Sequence, residues 1–144
     1  MNIRTATYKD APAIKSLLEI LGYRTTISLL VNQLESLFGN DSNQVFVYDL
    51  NKEVVGFVSV HYLPQLAFDG GLMVITYLSV DETVNGQAVA KALEQYITDQ
   101  ARLKKCERIQ VHCLDWRIPA HQFYLQQGYQ EYPKYFTKRL VYAE

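Results

Sequence analysis

The stretch LMVITYLSVDETVNGQAVAKALEQYI, residues 72–97, changes its period once, and that change decides the fold. Residues 72–80 are almost continuously apolar, as expected of a strand in the middle of a sheet. Asp81-Glu82-Thr83 breaks the run. From Ala88 to about residue 103 the apolar side chains return at helical spacing. Val89, Leu93, Tyr96 and Ile97 share one face, while Lys91, Glu94 and Gln95 fall elsewhere. A buried strand running into an amphipathic helix predicts a sheet with helices packed against it.

Upstream, residues 45–48 and 54–62 read as two strands joined by a turn at Asn51-Lys52, and a loop with Asp69-Gly70-Gly71 follows. Before them come a short alternating strand at residues 3–7 and two helices. Asp10 can cap the first helix, Pro12 fits its opening turn, and Ile14, Leu17, Leu18 and Leu21 form its stripe before Gly22. Thr26 or Ser28 can cap the second, whose stripe is Leu30, Leu34 and Leu37. Downstream, residues 108–113 form a strand, 120–127 a short helix stopped by Gly128, and two strand candidates lie around Tyr129 and at 136–141. This order predicts an α+β fold of three-layer α/β/α character, a mixed central sheet with flanking helices, with residues 1–144 forming one domain.

Fourteen Lys and Arg against 15 Asp and Glu leave no global field to draw in nucleic acid or an anionic membrane, so neither is expected as a partner. The opening residues carry no secretory apolar run and no stretch is long enough to span a bilayer, so a cytoplasmic location is expected. Cys106 and Cys113 have neither the count nor the spacing of a disulfide framework or zinc site and read as structural thiols. The separated histidines form no metal cluster, so no metal is expected. Tyrosine outnumbers phenylalanine 11 to 6, which suits a pocket wall or an interface.

Val80-Asp81 through Leu93, then Ala120-His121-x-Phe123-Tyr124-x-x-x-Gly128-Tyr129, then Tyr135-Phe136-x-Lys138-x-Leu140, resemble the GNAT family of N-acetyltransferases. The element order fits nearly the whole chain and the motifs its second half. The resemblance implies acetyl-CoA as cosubstrate and a primary amine on a small molecule, peptide or protein as acceptor. It implies that the loop Asn85, Gly86, Gln87, Ala88, Val89 and Ala90 holds the cofactor diphosphate, and that the backbone at Leu78 and Val80 pairs with the pantetheine arm. The family's loop reads Gln or Arg, two residues, Gly, one residue, Gly or Ala. Here Ala90 matches, Gly86 suits the loop, and Asn85 and Ala88 depart from it. Small residues belong there because backbone N–H groups must approach an anion at a helix N-terminus. Ala88 keeps that N–H, and Asn85 donates hydrogen bonds without a positive charge.

Tyr124 aligns with the tyrosine that protonates the departing thiolate, and a phenol is protonated at neutral pH. Its packing alternative is an aromatic on an amphipathic helix. Residues 72–80 contain no Asp or Glu to serve as the base, so His61 is the candidate if it faces the cleft, and an edge histidine if it does not. Arg117 is a candidate contact to the cofactor arm, and Tyr23, Arg24, Tyr62 and Asp69 are candidate acceptor-site walls. The departures at Asn85 and Ala88 keep a noncatalytic binding or regulatory domain as the alternative function. The aromatic tail from Tyr129 to Tyr142 makes a homodimer a further expectation.

Overall fold

The computed structural model describes residues 2–113, 118–132 and 135–142. The chain falls into two compact units, Met1–Val111 and His112–Glu144. The first carries a five-stranded sheet in the order β1 (Ile3–Thr5), β2 (Asn43–Leu50), β3 (Glu53–Leu63), β4 (Gly71–Val80) and β5 (Cys106–Val111). The first four strands pair antiparallel, and β4 pairs β5 in parallel. A parallel pair needs a crossover. Helix α3 (Gly86–Leu103) supplies it.

The hairpin between β2 and β3 turns at Asn51 and Lys52, both left-handed with φ of 53° and 71°. That is the conformation a two-residue hairpin loop demands. Helices α1 (Ala11–Ile20) and α2 (Ile27–Phe38) cover one face of the sheet, where Ile14, Leu17, Leu30 and Leu34 pack with Val45, Val47 and Phe57. Helix α3 covers the other face. Val89 and Leu93 lie so close to Gly56 that a Cβ there would stand 2.8 Å and 3.1 Å from their side chains, and Tyr96 meets Phe46 edge to face. The mixed sheet between two helical layers is the expected architecture.

Three local expectations change. Helix α3 begins at Gly86, two residues earlier than the apolar stripe suggests, because Asn85 turns left-handed and starts the helix from its own carbonyl. Asp10 makes no side-chain cap to α1; its carboxylate closes a capping box on Thr7 N–H and grips Arg4 through two hydrogen bonds of 2.9 Å. The tail strands do not form among the described residues. Phe136 and Val141 are 89% and 90% exposed, and no strand pairs with this segment among the described residues. The second unit is built on α4 (Ile118–Gln126), closed by Gly128 at φ 95°.

Candidate functional site

The side expected to hold the cofactor starts at β4. Its register with β5 ends at Ile75 opposite Val111, while its register with β3 runs on to Val80 opposite Gly56. Residues 76–80 therefore have no strand on their β5 side among the described residues. Val80 is buried against α3, with Cγ2 3.0 Å from where a Cβ on Gly86 would stand, and Leu78 is half-buried. Their side chains pack, and the strand's open edge is backbone.

β4 leads through a short 3-10 turn, Glu82–Val84, to Asn85 at φ 57° and ψ 59°. The turn is held by Asp81, whose carboxylate accepts from Thr83 N–H at 2.9 Å and from the Thr83 hydroxyl at 2.6 Å. The Ala88 and Val89 N–H groups both donate to the Asn85 carbonyl, at 3.1 Å and 3.2 Å. Ala88 thus does not present its N–H to a ligand as the sequence suggests, because its first-turn hydrogen bond has already formed. The donors left at this helix end are the N–H groups of Gly86 and Gln87, which find no acceptor among the described residues. Gly86 is buried; a Cβ there would stand 2.8 Å from Glu82 Oε2. Val89 and Ala90 are buried and face inward, while Asn85, Gln87 and Ala88 are exposed. No Lys or Arg occurs from Asp81 to Ala90, so this segment itself offers an anion only N–H groups and the helix dipole.

The side expected to meet the acceptor is built from the end of α1. Gly22 N–H donates to the Glu19 carbonyl and Tyr23 N–H to the Leu18 carbonyl, each at 3.0 Å, with Gly22 left-handed at φ 94°. This Schellman closure ends the helix and sets the direction of Tyr23. The Ser79 hydroxyl, on β4, donates to the Leu17 carbonyl at 2.7 Å and ties the helix end to the strand. Tyr23 consequently reaches Tyr77 of β4, ring centroids 5.4 Å apart and nearly perpendicular. Arg24 follows in the same loop and is exposed. Thr76 and Tyr77 are exposed although they lie within a central strand, so the sheet is open to solvent there.

His61 lies beside this opening. Its Nδ1 is 2.7 Å from Asn43 Oδ1 on β2, and its Nε2 is 3.0 Å from Thr76 Oγ1 on β4. Partial burial holds its pKa below the ordinary histidine value, so the neutral ring is favoured. Asn43, Thr76, Tyr77 and Ser79 were not legible as site residues. The available signal was that Thr76, Tyr77 and Ser79 interrupt an otherwise apolar central strand.

Tyr62 and Asp69 stand elsewhere. They line a hollow of about 380 Å³ with Lys104 and Cys106, at the C-terminal end of α3. The helix, 18 residues long, separates them from the Asn85 loop by about 27 Å at 1.5 Å per residue. Tyr62 has Lys104 Nζ 4.6 Å above its ring, and burial, then the neighbouring Cys106 and Tyr96, push its phenol up to about 12. Tyr124 belongs to the second unit: on α4, 8% exposed, with its ring edge-on to Phe123 and Tyr129. Arg117 lies outside the described residues. Among the described residues no three acidic, His or Cys side chains are grouped to hold a metal, and no helix is long and apolar enough to cross a membrane.

The first unit is thus a mixed α+β fold whose fourth strand keeps an open edge among the described residues and feeds a helix N-terminus. The chain belongs to the acetyltransferase (GNAT) family, whose model matches residues 13–129. It is 27% identical to an aminoalkylphosphonate N-acetyltransferase of Salmonella typhimurium, over 96% of this chain and 90% of that one. Among solved structures it resembles a transcriptional regulator from Bacillus halodurans, with a TM-score of 0.87, 20% identity and coverage of 96% and 98% of the two chains. It also resembles an aminoglycoside acetyltransferase from an uncultured soil metagenomic sample, with a TM-score of 0.80, 22% identity and coverage of 96% and 95%.

Proposed function

We propose that this chain, acting as one domain, transfers an acetyl group from acetyl-CoA to a primary amine by direct attack. The observation that carries the reading is the open edge of β4 at residues 76–80, running into two unengaged N–H groups at the start of α3. An edge strand offers hydrogen bonds to an extended amide-bearing arm, and a helix N-terminus offers them to a phosphate. Leu78 and Val80 hold the pantetheine arm through their backbone. Gly86 and Gln87 N–H, with the Asn85 amide, hold the diphosphate, and Ala88, Val89 and Ala90 form the turn that aims them.

The acceptor enters between the α1–α2 loop and β4, against Tyr23, Arg24 and Tyr77. Arg24 is a cation on a wall whose other members are neutral, which favours an amine carrying an anionic group. The aminoalkylphosphonate substrate of the Salmonella relative has that chemistry. His61 takes the proton the amine loses, and Tyr124 gives one to the thiolate. The protein works in the cytoplasm, without a metal, and the exposed aromatic tail supports a homodimer.

A second reading has its own support: Glu82 beside Gly86, the Ala88 N–H already engaged, and no cation between Asp81 and Ala90 favour a noncatalytic scaffold. Calorimetric titration with acetyl-CoA, with free coenzyme A and desulfo-coenzyme A as controls, separates the two. One-site binding followed by turnover of aminoalkylphosphonates supports the enzyme, and Tyr124→Phe then lowers kcat by about 10² or more. Absence of binding refutes it and leaves the scaffold.

A further inference from the structure

We infer that Thr76 is a catalytic hydroxyl that carries the amine's proton to His61, with Asn43 as the positioning residue that fixes the imidazole tautomer. This rests on the acetyltransferase reading above.

The argument begins with access. His61 Nε2 is the ring nitrogen nearer the opening, but Thr76 Oγ1 sits 3.0 Å from it and is itself exposed. A base behind a hydroxyl receives protons through that hydroxyl. Tautomer comes next. Asn43 Oδ1 can only accept, so at 2.7 Å it requires the proton on Nδ1 and leaves a lone pair on Nε2 of the neutral ring. Burial favours that neutral ring, and Asn43 orients it without adding a charge.

The third element is a second acceptor for the hydroxyl. Thr76 Oγ1 also lies 3.2 Å from the Ser59 carbonyl. The sheet register explains why that carbonyl is within reach: Ser59 pairs with Tyr77 and Val60 with Ile75, so Thr76 is the extra residue of a β-bulge. When His61 is neutral the hydroxyl donates to Nε2. When His61 is protonated, Nε2–H donates to Oγ1 and the hydroxyl turns to Ser59. Both protonation states are therefore hydrogen-bonded within the protein.

The step balances as follows. The amine lone pair forms the C–N bond to the thioester carbon, whose π pair moves to oxygen. The ammonium proton passes to Thr76 Oγ1 as Thr76's own proton passes to Nε2, leaving imidazolium. Re-formation of the carbonyl breaks the C–S bond, and sulfur leaves with the electron pair and takes a proton from solvent. His61 returns its proton to solvent.

The test combines an NMR measurement with kinetics on the full chain. Long-range proton–nitrogen correlation of neutral His61 is expected to show the proton on Nδ1; a proton on Nε2 overturns the relay whether or not the protein turns over. In steady state, Thr76→Val is expected to lower kcat by about 10² with an unchanged Kd for acetyl-CoA, and Thr76→Ser to restore it. Wild-type kcat in Thr76→Val, or equal losses in both variants, overturns the relay and leaves the acetyltransferase reading standing. Failure of the wild-type protein to bind acetyl-CoA ends both. Urea denaturation of each variant separates loss of the hydroxyl from loss of the fold.

Discussion

Removing one oxygen near the C-terminal end of β4 should loosen the end of helix α1. Ser79 is 4% exposed, and its hydroxyl donates to the Leu17 carbonyl at 2.7 Å, in the last turn of α1. Carbonyls of a last helical turn have no intrahelical donor, and burial denies this one a partner from water. Ser79→Ala creates almost no cavity, so its cost is that of a buried acceptor left unsatisfied, about 1–3 kcal/mol. For a chain of this size about 2 kcal/mol lowers Tm by roughly 5–8 °C.

Ser16→Ala is the control, because the Ser16 hydroxyl makes only a 3.3 Å bond to the Pro12 carbonyl on the exposed face of the same helix. It should stay within about 0.5 kcal/mol of wild type. Urea melts followed by circular dichroism at constant m measure both. The variant should also lose order at Tyr23, which the α1 end aims at Tyr77, and that is visible in the Tyr23 ring resonances. A Ser79→Ala protein as stable as the Ser16→Ala control would refute the claim that this bond pins α1 to the sheet.

Asn85→Arg should tighten acetyl-CoA binding about tenfold, since a charge-assisted contact is worth about 1.5–3 kcal/mol. It should also cost about 1 kcal/mol of stability for a long side chain in the left-handed region; an unchanged Kd by calorimetry means the diphosphate is not at this helix end. Burial pushes the Asp10 carboxyl up, but the Arg4 guanidinium and the Thr7 N–H outweigh it and hold the pKa below the ordinary aspartate value of 3.8. A depressed folded pKa gives stability that is complete above the unfolded value and is lost as pH falls through the folded one. Asp10→Asn should therefore cost about 1–2 kcal/mol at neutral pH, discounted for the half-exposed Arg4, and flatten the acid limb below pH 4 in acid melts. Sedimentation velocity should show a dimer that Phe136→Ser with Val141→Ser converts to monomer, and a monomeric wild type would remove the tail as an interface.

The elements that the sequence made legible are those whose signal is local. The apolar run at 72–80 and the stripe Val89, Leu93, Ile97 each state a period, and β4 and α3 follow it. The Gly22 stop was legible because only a left-handed residue closes a Schellman turn, and Thr26 was legible as a cap because its hydroxyl can reach the Leu29 N–H, 3.1 Å away. The tail failed for the opposite reason. Residues 136–141 have strand-forming side chains, but a strand is a property of a pair, and no sequence window contains its partner. The site fell between these cases. His61 was found as an isolated histidine, whereas Asn43 and Thr76 lie 18 and 15 positions away and become its partners only through the register of three strands.

That register turns on a single residue. In the β3–β4 ladder, His61 faces Val74 and Ser59 faces Tyr77. His61 and Ser59 share a sheet face, so Val74 and Tyr77 share it too, although an odd number of steps separates them along the strand. Alternation forbids that unless one residue is inserted, and the bulge at Thr76 is the insertion. Upstream of it the strand's parity is set by Met73 and Ile75, buried on the α3 face; downstream it is reversed. Reversal sends Tyr77 to Tyr23 and Ser79 to the Leu17 carbonyl, on the α1 face, and turns Leu78 and Val80 inward toward α3. The same residue that re-aims the strand puts its hydroxyl between His61 and solvent. The proposed acceptor wall and the proposed proton path thus both follow from one extra residue, which ties the position of Thr76 to the fold and its side chain to the proposed chemistry.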